Sequence, residues 1–152
     1  MVQLDDAEVY RKYADELMRY AGALAGPSGA EDLLAAAVLG ALSSPAWSSV
    51  DNQRAYLYRV VLHEAMRVRR STERRLRREQ RAATVADWVP ATADLDVHAA
   101  LRRLTVRQRA VVFLTYWGDL TPVAVAETIG STERTVQREL AAAKHRLEAL
   151  LS

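Results

Sequence analysis

Polar and basic side chains cluster at the start of a predicted helix near the carboxyl end of the chain. The candidate contact residues are Thr132, Glu133, Arg134, Thr135, Gln137, Arg138 and Lys144. Donors and acceptors of this kind can hydrogen-bond to base edges and phosphates when a helix lies in the major groove of DNA. An ordinary helical hairpin with a solvated face has the same spacing, so this pattern leaves both interpretations open.

A run of arginines in the middle of the chain forms a second candidate surface. Residues 61–81 carry 8 basic and 3 acidic groups, a net charge of +5, whereas residues 1–60 carry 5 and 8 and residues 82–152 carry 8 and 8. A local excess of this size is typical of a surface that binds phosphates. The alternative is a solvated helix end in which Glu73 and Glu79 pair with a few of the arginines.

The sequence has no recognisable catalytic pattern. It contains no cysteine, and His63, His98 and His145 are scattered, so we predict no metal site and no cofactor. It has neither a Gly-rich phosphate loop nor a nucleophile elbow. Glu31 and Asp32 are explained by their position in the first turn of a helix, where acidic groups are favourable. We therefore predict a binding protein, not an enzyme.

Two helices joined by a tight turn would present the first candidate surface. Thr121 can cap a helix with Pro122 at its first position, and Gly130 can adopt the left-handed conformation that ends it. Thr132 then caps a longer helix. The apolar positions expected on the inner face of that helix are Val136, Leu140, Ala143, Leu147 and Leu150.

Three further helices are predicted in the first half of the chain. The first spans residues 6–25, and the second has a predicted capping box formed by Ser28 and Glu31. The second helix is apolar around its whole circumference, which favours either burial or docking on a partner. A loop with an exposed Trp47 leads to a third helix from about Asp51, which contains the arginines.

The second half begins after a predicted linker at residues 82–93. A short helix is expected to end at Thr105, and the next, from Val106 to Trp117, is expected to turn Tyr116 and Trp117 inward. With no strand alternation, we predict an all-α chain of two small domains, a three-helix domain at 1–81 and a four-helix domain at 94–152. No apolar run is long enough to cross a membrane, and no leader is apparent, so we expect a cytoplasmic protein.

The chain resembles the extracytoplasmic-function (ECF) sigma factors of bacterial RNA polymerase. Residues 100–151 are similar to region 4 of that family, through Leu101-x-x-Leu104-x-x-Arg107-Gln108-Arg109-Ala110-Val111, then Tyr116-Trp117, Leu120-Thr121, Ala126-x-x-Ile129-Gly130 and Thr135-Val136. Residues 8–79 are similar to region 2, through Tyr10-x-x-Tyr13, Ala30-Glu31-Asp32-Leu33 and Asn52-x-Arg54-Ala55-Tyr56-Leu57-Tyr58-Arg59.

The resemblance implies functions for three surfaces of a nucleoid-associated protein. The second helix of the helix-turn-helix would face the upstream (minus-thirty-five) promoter element. The downstream (minus-ten) element and nearby phosphates would meet Asn52, Arg54, Tyr58, Arg59, His63, Arg67, Arg69, Arg70, Arg74 and Arg75. The clamp of RNA polymerase core would meet Asp32, Leu33, Ala35, Ala36, Leu39 and Gly40, and the polymerase flap would be a further contact.

The predicted clamp-docking helix departs from the family pattern. Ala35 and Ala36 stand where the family usually carries Gln followed by an acid, and Gly40 replaces a basic residue. Two functions therefore stay open. One is an ECF sigma factor that binds core and promoter DNA to direct transcription initiation. The other is a sigma-derived DNA-binding or protein-binding regulator that does not initiate, with an anti-sigma factor or another protein on the face of helix 31–42.

Overall fold

The computed structural model describes residues 5–80 and 97–151, and in these ranges it contains helices and no strand. The helices are α1 (Asp6–Ala25), α2 (Ala30–Ser43), α3 (Gln53–Gln80), α4 (Val97–Arg102), α5 (Val106–Tyr116), α6 (Pro122–Ile129) and α7 (Glu133–Leu151). A short 3-10 turn spans Trp47–Ser49. The all-α prediction is confirmed, whereas the predicted linker at 82–93 lies outside the described residues. None of the described helices combines the length and apolar character that a membrane span requires.

The N-terminal bundle consists of α1, α2 and α3. Asp5 caps α1 through a reciprocal capping box with Glu8, so the backbone N–H groups of these two residues are satisfied. Apolar residues at helical spacing then meet in one core, because each helix turns a single face inward. The fully buried members of this core include Leu17, Tyr20, Leu34, Leu57, Tyr58, Val61 and Leu62.

Two local predictions in this bundle are wrong. Gly29, not Ser28, is the N-cap of α2, and it supplies no side-chain cap. The reason is a turn in which the Gly29 N–H donates to the Gly26 carbonyl, which delays the start of the helix. Trp47 is buried, because the 3-10 turn folds its ring against Tyr56 and its indole N–H donates to Asp6 at 2.9 Å.

The C-terminal bundle consists of α4, α5, α6 and α7. Thr105 and Gln108 form a capping box at the start of α5, and most of α5 is buried between the other helices. The prediction that Tyr116 and Trp117 point inward is wrong, since their side chains are 55% and 59% exposed. Both lie at the end of α5, and Trp117 stacks on Phe113, which takes the inward position.

The two bundles pack against each other. The ring of Tyr20 in α1 lies 5.3 Å from that of Phe113 in α5, within a core that both bundles share. Arg109 of α5 donates to the carbonyl of Leu24 at the end of α1. Arg59 of α3 donates to the carbonyl of Glu127 near the end of α6, at 2.7 Å. Each bundle thus places one arginine on the carboxyl-terminal carbonyls of a helix in the other, where a cation is favoured by the helix dipole.

Candidate nucleic-acid and partner interfaces

The helix-turn-helix is built by local hydrogen bonds that follow the sequence closely. Thr121 accepts from the Ala124 N–H at 3.2 Å to cap α6, and Pro122 takes its first turn. Gly130 ends α6 in the left-handed conformation, at φ 72° and ψ 43°. Thr132 accepts from the Thr135 N–H at 3.2 Å and so caps α7. These caps fix the angle at which α7 leaves the turn.

The outward face of α7 is exposed as predicted. Glu133, Arg134, Gln137, Arg138 and Lys144 are all exposed, while Val136 and Ala143 on the opposite side are fully buried. Arg134 and Arg138 lie one turn apart, and neither has an ion pair among the described residues. This face can therefore present guanidinium and amide donors to an acceptor surface.

Several of the predicted α7 residues are engaged within the protein. Thr135 is half-buried, and its hydroxyl accepts from that of Thr132 at 2.9 Å, so it serves the helix cap. The Lys144 ammonium lies 5.9 Å from the centre of the exposed Tyr116 ring, within the range of a cation–π contact. The Gln137 amide donates to Glu133 at 3.4 Å, so Arg134 and Arg138 are the exposed donors of this face without a side-chain partner among the described residues.

The arginine-rich end of α3 is exposed and only partly neutralised. Arg67 pairs with Glu64 at 2.6 Å, Arg69 with Glu73 at 3.0 Å, and Arg75 approaches Glu79 at 3.9 Å. Among the described residues, Arg70, Arg74, Arg77 and Arg78 have no ion pair. A groove of about 380 Å³ runs between Arg67, Ser71, Arg74, Arg75 and Arg78. Exposed pairs of this kind contribute little energy, so the arginines in them can still exchange partners.

The start of α3 has a different character. Asn52 accepts from the Ala55 N–H at 3.0 Å, and Arg54 forms two hydrogen bonds with Glu16, at 2.8 and 3.0 Å. Arg54 also lies over the ring of Tyr58. Tyr58 is only 1% exposed and packs on Tyr20, so its assignment to the DNA surface is wrong and it belongs to the core. Burial, together with the neighbouring Glu16 charge, raises the pKa of the Tyr58 phenol to about 12.

Two further predicted DNA contacts, Arg59 and His63, face the C-terminal bundle. Arg59 is held by the Glu127 carbonyl, and a Cβ placed on Gly130 would lie 3.1 Å from its Nε. His63 is exposed, and its pKa is lowered by partial desolvation and by the positive charges of Arg59, Arg107 and Arg70. Along the same edge, Asn52, Arg54 and Arg59 line a cleft of about 530 Å³ whose opposite wall comes from residues 120–128.

The predicted clamp-docking face of α2 is exposed and smooth. Ala35, Ala36, Gly40 and Asp32 are exposed, and Leu39 is 69% exposed, the largest value among the big apolar side chains described. A Cβ on Gly40 would meet nothing within 4 Å. Leu33, which the resemblance placed on this face, is buried in the core at 5% exposure, so its assignment to the docking surface is wrong.

Sequence reasoning missed Arg109, which joins the two bundles, and Glu16, which binds Arg54 within the N-terminal bundle. Arg109 was noted only as part of a motif, yet its guanidinium is buried and donates to the Leu24 and Leu104 carbonyls. Glu16, the partner of Arg54, was not singled out at all. The available signal for Arg109 was its position in an otherwise buried stretch of α5, where a charged residue requires a partner. The described residues contain no group of three metal-ligating side chains.

Comparison with known proteins places both bundles in one family. The chain matches the family profile "Sigma-70 region 2" over residues 9–81 and the profile "Sigma-70, region 4" over residues 94–147. Together the two matches span most of the chain. No curated protein sequence matches it significantly.

Solved structures give the same fold. The sigma factor RpoE of Bartonella quintana, crystallised with the anti-sigma factor NepR, aligns with 95% of this chain and 95% of its own, at 22% identity and a TM-score of 0.74. CnrH, solved with the cytosolic domain of CnrY, aligns with 96% of this chain and 86% of its own, at 20% identity and a TM-score of 0.65.

Proposed function

The chain belongs to the sigma-70 family, with the region 2 and region 4 organisation of ECF sigma factors, and we propose that it binds RNA polymerase core and promoter DNA to direct transcription initiation. Members of this family are non-enzymatic transcription factors. The observation that carries the proposal is a capped helix-turn-helix whose polar face is exposed, in one chain with an exposed arginine-rich helix. Such a protein acts at the nucleoid, without cofactor or chemistry of its own.

In this proposal α7 recognises the upstream promoter element. Arg134 and Arg138 are the contacts best supported by exposure, because no ion pair within the described chain holds them. Gln137 is exposed as well, and its amide would exchange the hydrogen bond to Glu133 for one to DNA. Arg138→Ala should weaken binding of the full chain to an upstream-element duplex. A base contact would add about 1–3 kcal/mol of discrimination, whereas a phosphate contact would weaken all sequences alike.

The minus-ten element would be met by α3. The exposed arginines beyond Arg67 are accessible as they stand, whereas Asn52, Arg54 and Arg59 line the cleft against residues 120–128. We infer that these last residues reach DNA only when the C-terminal bundle moves away from α3. Binding of core polymerase to the two bundles at separate places would supply the free energy for that movement.

A second function is favoured by the α2 face. Two exposed alanines and a glycine leave it without the polar side chains that usually dock this helix on the polymerase clamp, and Leu39 adds a large exposed apolar group. An apolar helix of another protein, such as an anti-sigma factor, would pack closely on such a surface. The chain would then be a sigma-derived regulator that binds DNA or a protein and does not initiate.

Transcription by reconstituted core polymerase separates the two functions. A sigma factor yields promoter-directed transcripts, and Ala35→Gln with Ala36→Glu tightens its affinity for core about tenfold, since two regained polar contacts contribute roughly 0.5–1.5 kcal/mol each. Ala7→Gln, at another exposed alanine, in α1, is the control and should leave the affinity for core unchanged. No transcript from any bound DNA, with the double substitution without effect, would establish the regulator instead.

A further inference from the structure

Two adjoining cavities lie where the bundles meet. The larger, of about 560 Å³, is half-open to solvent and is lined by the end of α1, the start of α2, the middle of α3 and the α4–α5 region. Much of its wall is apolar, from Leu24, Leu33, Ala65, Val68 and Val106. Small-molecule sites typically have volumes of about 300–1,000 Å³ and often lie between domains, so this cavity has the size and position of one.

The smaller cavity, of about 200 Å³, is strongly cationic. It shares Arg69, Arg102, Val106 and Arg109 with the larger one, so the two are continuous along that wall. Among the described residues, its charged lining comprises five arginines, Arg69, Arg102, Arg103, Arg109 and Arg146, and one acid, Glu73, a net charge of +4. Within the same residues Arg69 alone of the five has an ion pair, with Glu73, and Arg146 donates to the Arg103 carbonyl.

Arg109 is the deepest of these cations. Its side chain is 6% exposed, and both of its hydrogen bonds go to backbone carbonyls. It has no carboxylate partner in the described part of the chain, and desolvation with the charges of Arg69 and Arg102 lowers its pKa. A buried guanidinium without a counter-ion is unusual, because charged groups leave water at a cost that an opposite charge normally offsets.

The acids of the larger cavity do not supply that counter-ion. Glu64 is held by Arg67, and Asp32 lies on α2 and does not line the smaller cavity. The pair of cavities therefore combines an apolar chamber with a cationic end.

We infer that this site binds a small amphipathic anion, with its carboxylate or phosphate head among Arg69, Arg102 and Arg109 and its apolar body along Val68, Val106 and Leu24. The bound molecule would contact both bundles and hold them together. A duplex backbone fits the site poorly, since the smaller cavity is concave and holds about one acid group beside an apolar wall. The inference stands independently of the proposed role in transcription.

Titration calorimetry on the full chain, with decanoate as the probe, tests the site. We expect one decanoate per chain, and at least tenfold weaker binding of decanol, which lacks the charge, and of inorganic phosphate, which lacks the apolar body. Comparing the affinities of decyl phosphate and decanoate shows whether the site prefers a phosphate or a carboxylate head group. Arg102→Gln should lower the affinity for decanoate about tenfold, equivalent to about 1.4 kcal/mol.

Two further variants complete the design. Arg11→Gln makes the same charge change at an exposed position of α1, about 20 Å along that helix from the cavity, and should leave decanoate binding unchanged. Val68→Gln lies at a half-exposed position of the apolar wall and should weaken decanoate binding. It should leave the fold unchanged, which circular dichroism can check.

Three results would overturn the inference. Equal decanoate affinity of Arg102→Gln and Arg11→Gln would show that no head group binds at the arginines. Displacement of decanoate by duplex DNA, with DNA binding lost in Arg102→Gln, would assign the arginines to nucleic acid. If decanoate bound only after residues 82–93 were replaced by a Gly/Ser linker, the natural occupant of the site would be that segment of the chain itself.

Discussion

Replacing Tyr20 by Phe should make the protein more stable. The Tyr20 side chain is fully buried, and its hydroxyl has no hydrogen-bond partner among the described residues. Burial raises the pKa of this phenol well above its ordinary value, which reflects the same loss of solvation. The ring itself packs on Tyr58 at 4.7 Å and on Phe113 at 5.3 Å, and Phe preserves both contacts.

The size of the effect follows from the unsatisfied hydroxyl. Leaving a buried polar group without a partner costs about 1–3 kcal/mol, and the oxygen removed leaves a gap that reduces the gain. We expect the free energy of unfolding to rise by about 1 kcal/mol. For a chain of this size the midpoint temperature should increase by about 2–4 °C.

Urea unfolding followed by circular dichroism measures the change, and Tyr58→Phe is the matched control. Tyr58 is equally buried, but its hydroxyl lies beside Glu16 and Arg54, which can hydrogen-bond to it. Its removal should lower the free energy of unfolding by about 1 kcal/mol. Equal losses of stability in both variants would refute the reasoning, because they would show that the Tyr20 hydroxyl has a partner in the folded protein.

Three other outcomes follow from the structure. Gly130→Ala should lower the free energy of unfolding in urea by about 1–2 kcal/mol, since the φ of Gly130 is 72° and the added Cβ would approach Arg59. Gly40→Ala is the control, because it lies within α2 with no atom near the added Cβ, and it should not destabilise the protein; equal effects of the two changes would contradict the prediction. Because the pKa of His63 is lowered in the folded protein, stability should fall as pH decreases below about 6.5, and His63→Gln should reduce that fall. An unchanged dependence of stability on pH in His63→Gln would show that other groups cause the fall. Because the folded pKa of Tyr58 is about 12, stability should fall as pH rises above about 10, where the unfolded phenol ionises, and Tyr58→Phe should reduce that loss.

The features that sequence predicted well are those fixed by neighbouring residues. Thr121, Gly130 and Thr132 each act through hydrogen bonds or backbone preferences within a few positions, so their spacing was sufficient to locate the helix-turn-helix. The exposed face of α7 followed from its helical period. The arginine excess of α3 was equally visible, because charge counts need no tertiary information.

The features that sequence missed depend on contacts between distant segments. Trp47 is buried through Asp6, which lies 41 positions away, and Arg109 is anchored to Leu24 across the two bundles. Helical period alone does not reveal such partners. It also failed at the end of α5, where Phe113 takes the inward position and Trp117 is left outside.

The two arginines that join the bundles both donate to backbone carbonyls, which has an evolutionary consequence. A carbonyl is present whatever side chain its residue carries, so Leu24 and Glu127 can be replaced without loss of the acceptor. Selection on these contacts would then act on Arg59 and Arg109, and on Gly130, whose lack of a side chain leaves room for Arg59, but not on the side chains of the acceptors. Pairwise covariation between the arginines and their acceptor residues would leave these contacts undetected, and homologues could keep the same packing while the sequences around the acceptors drift apart.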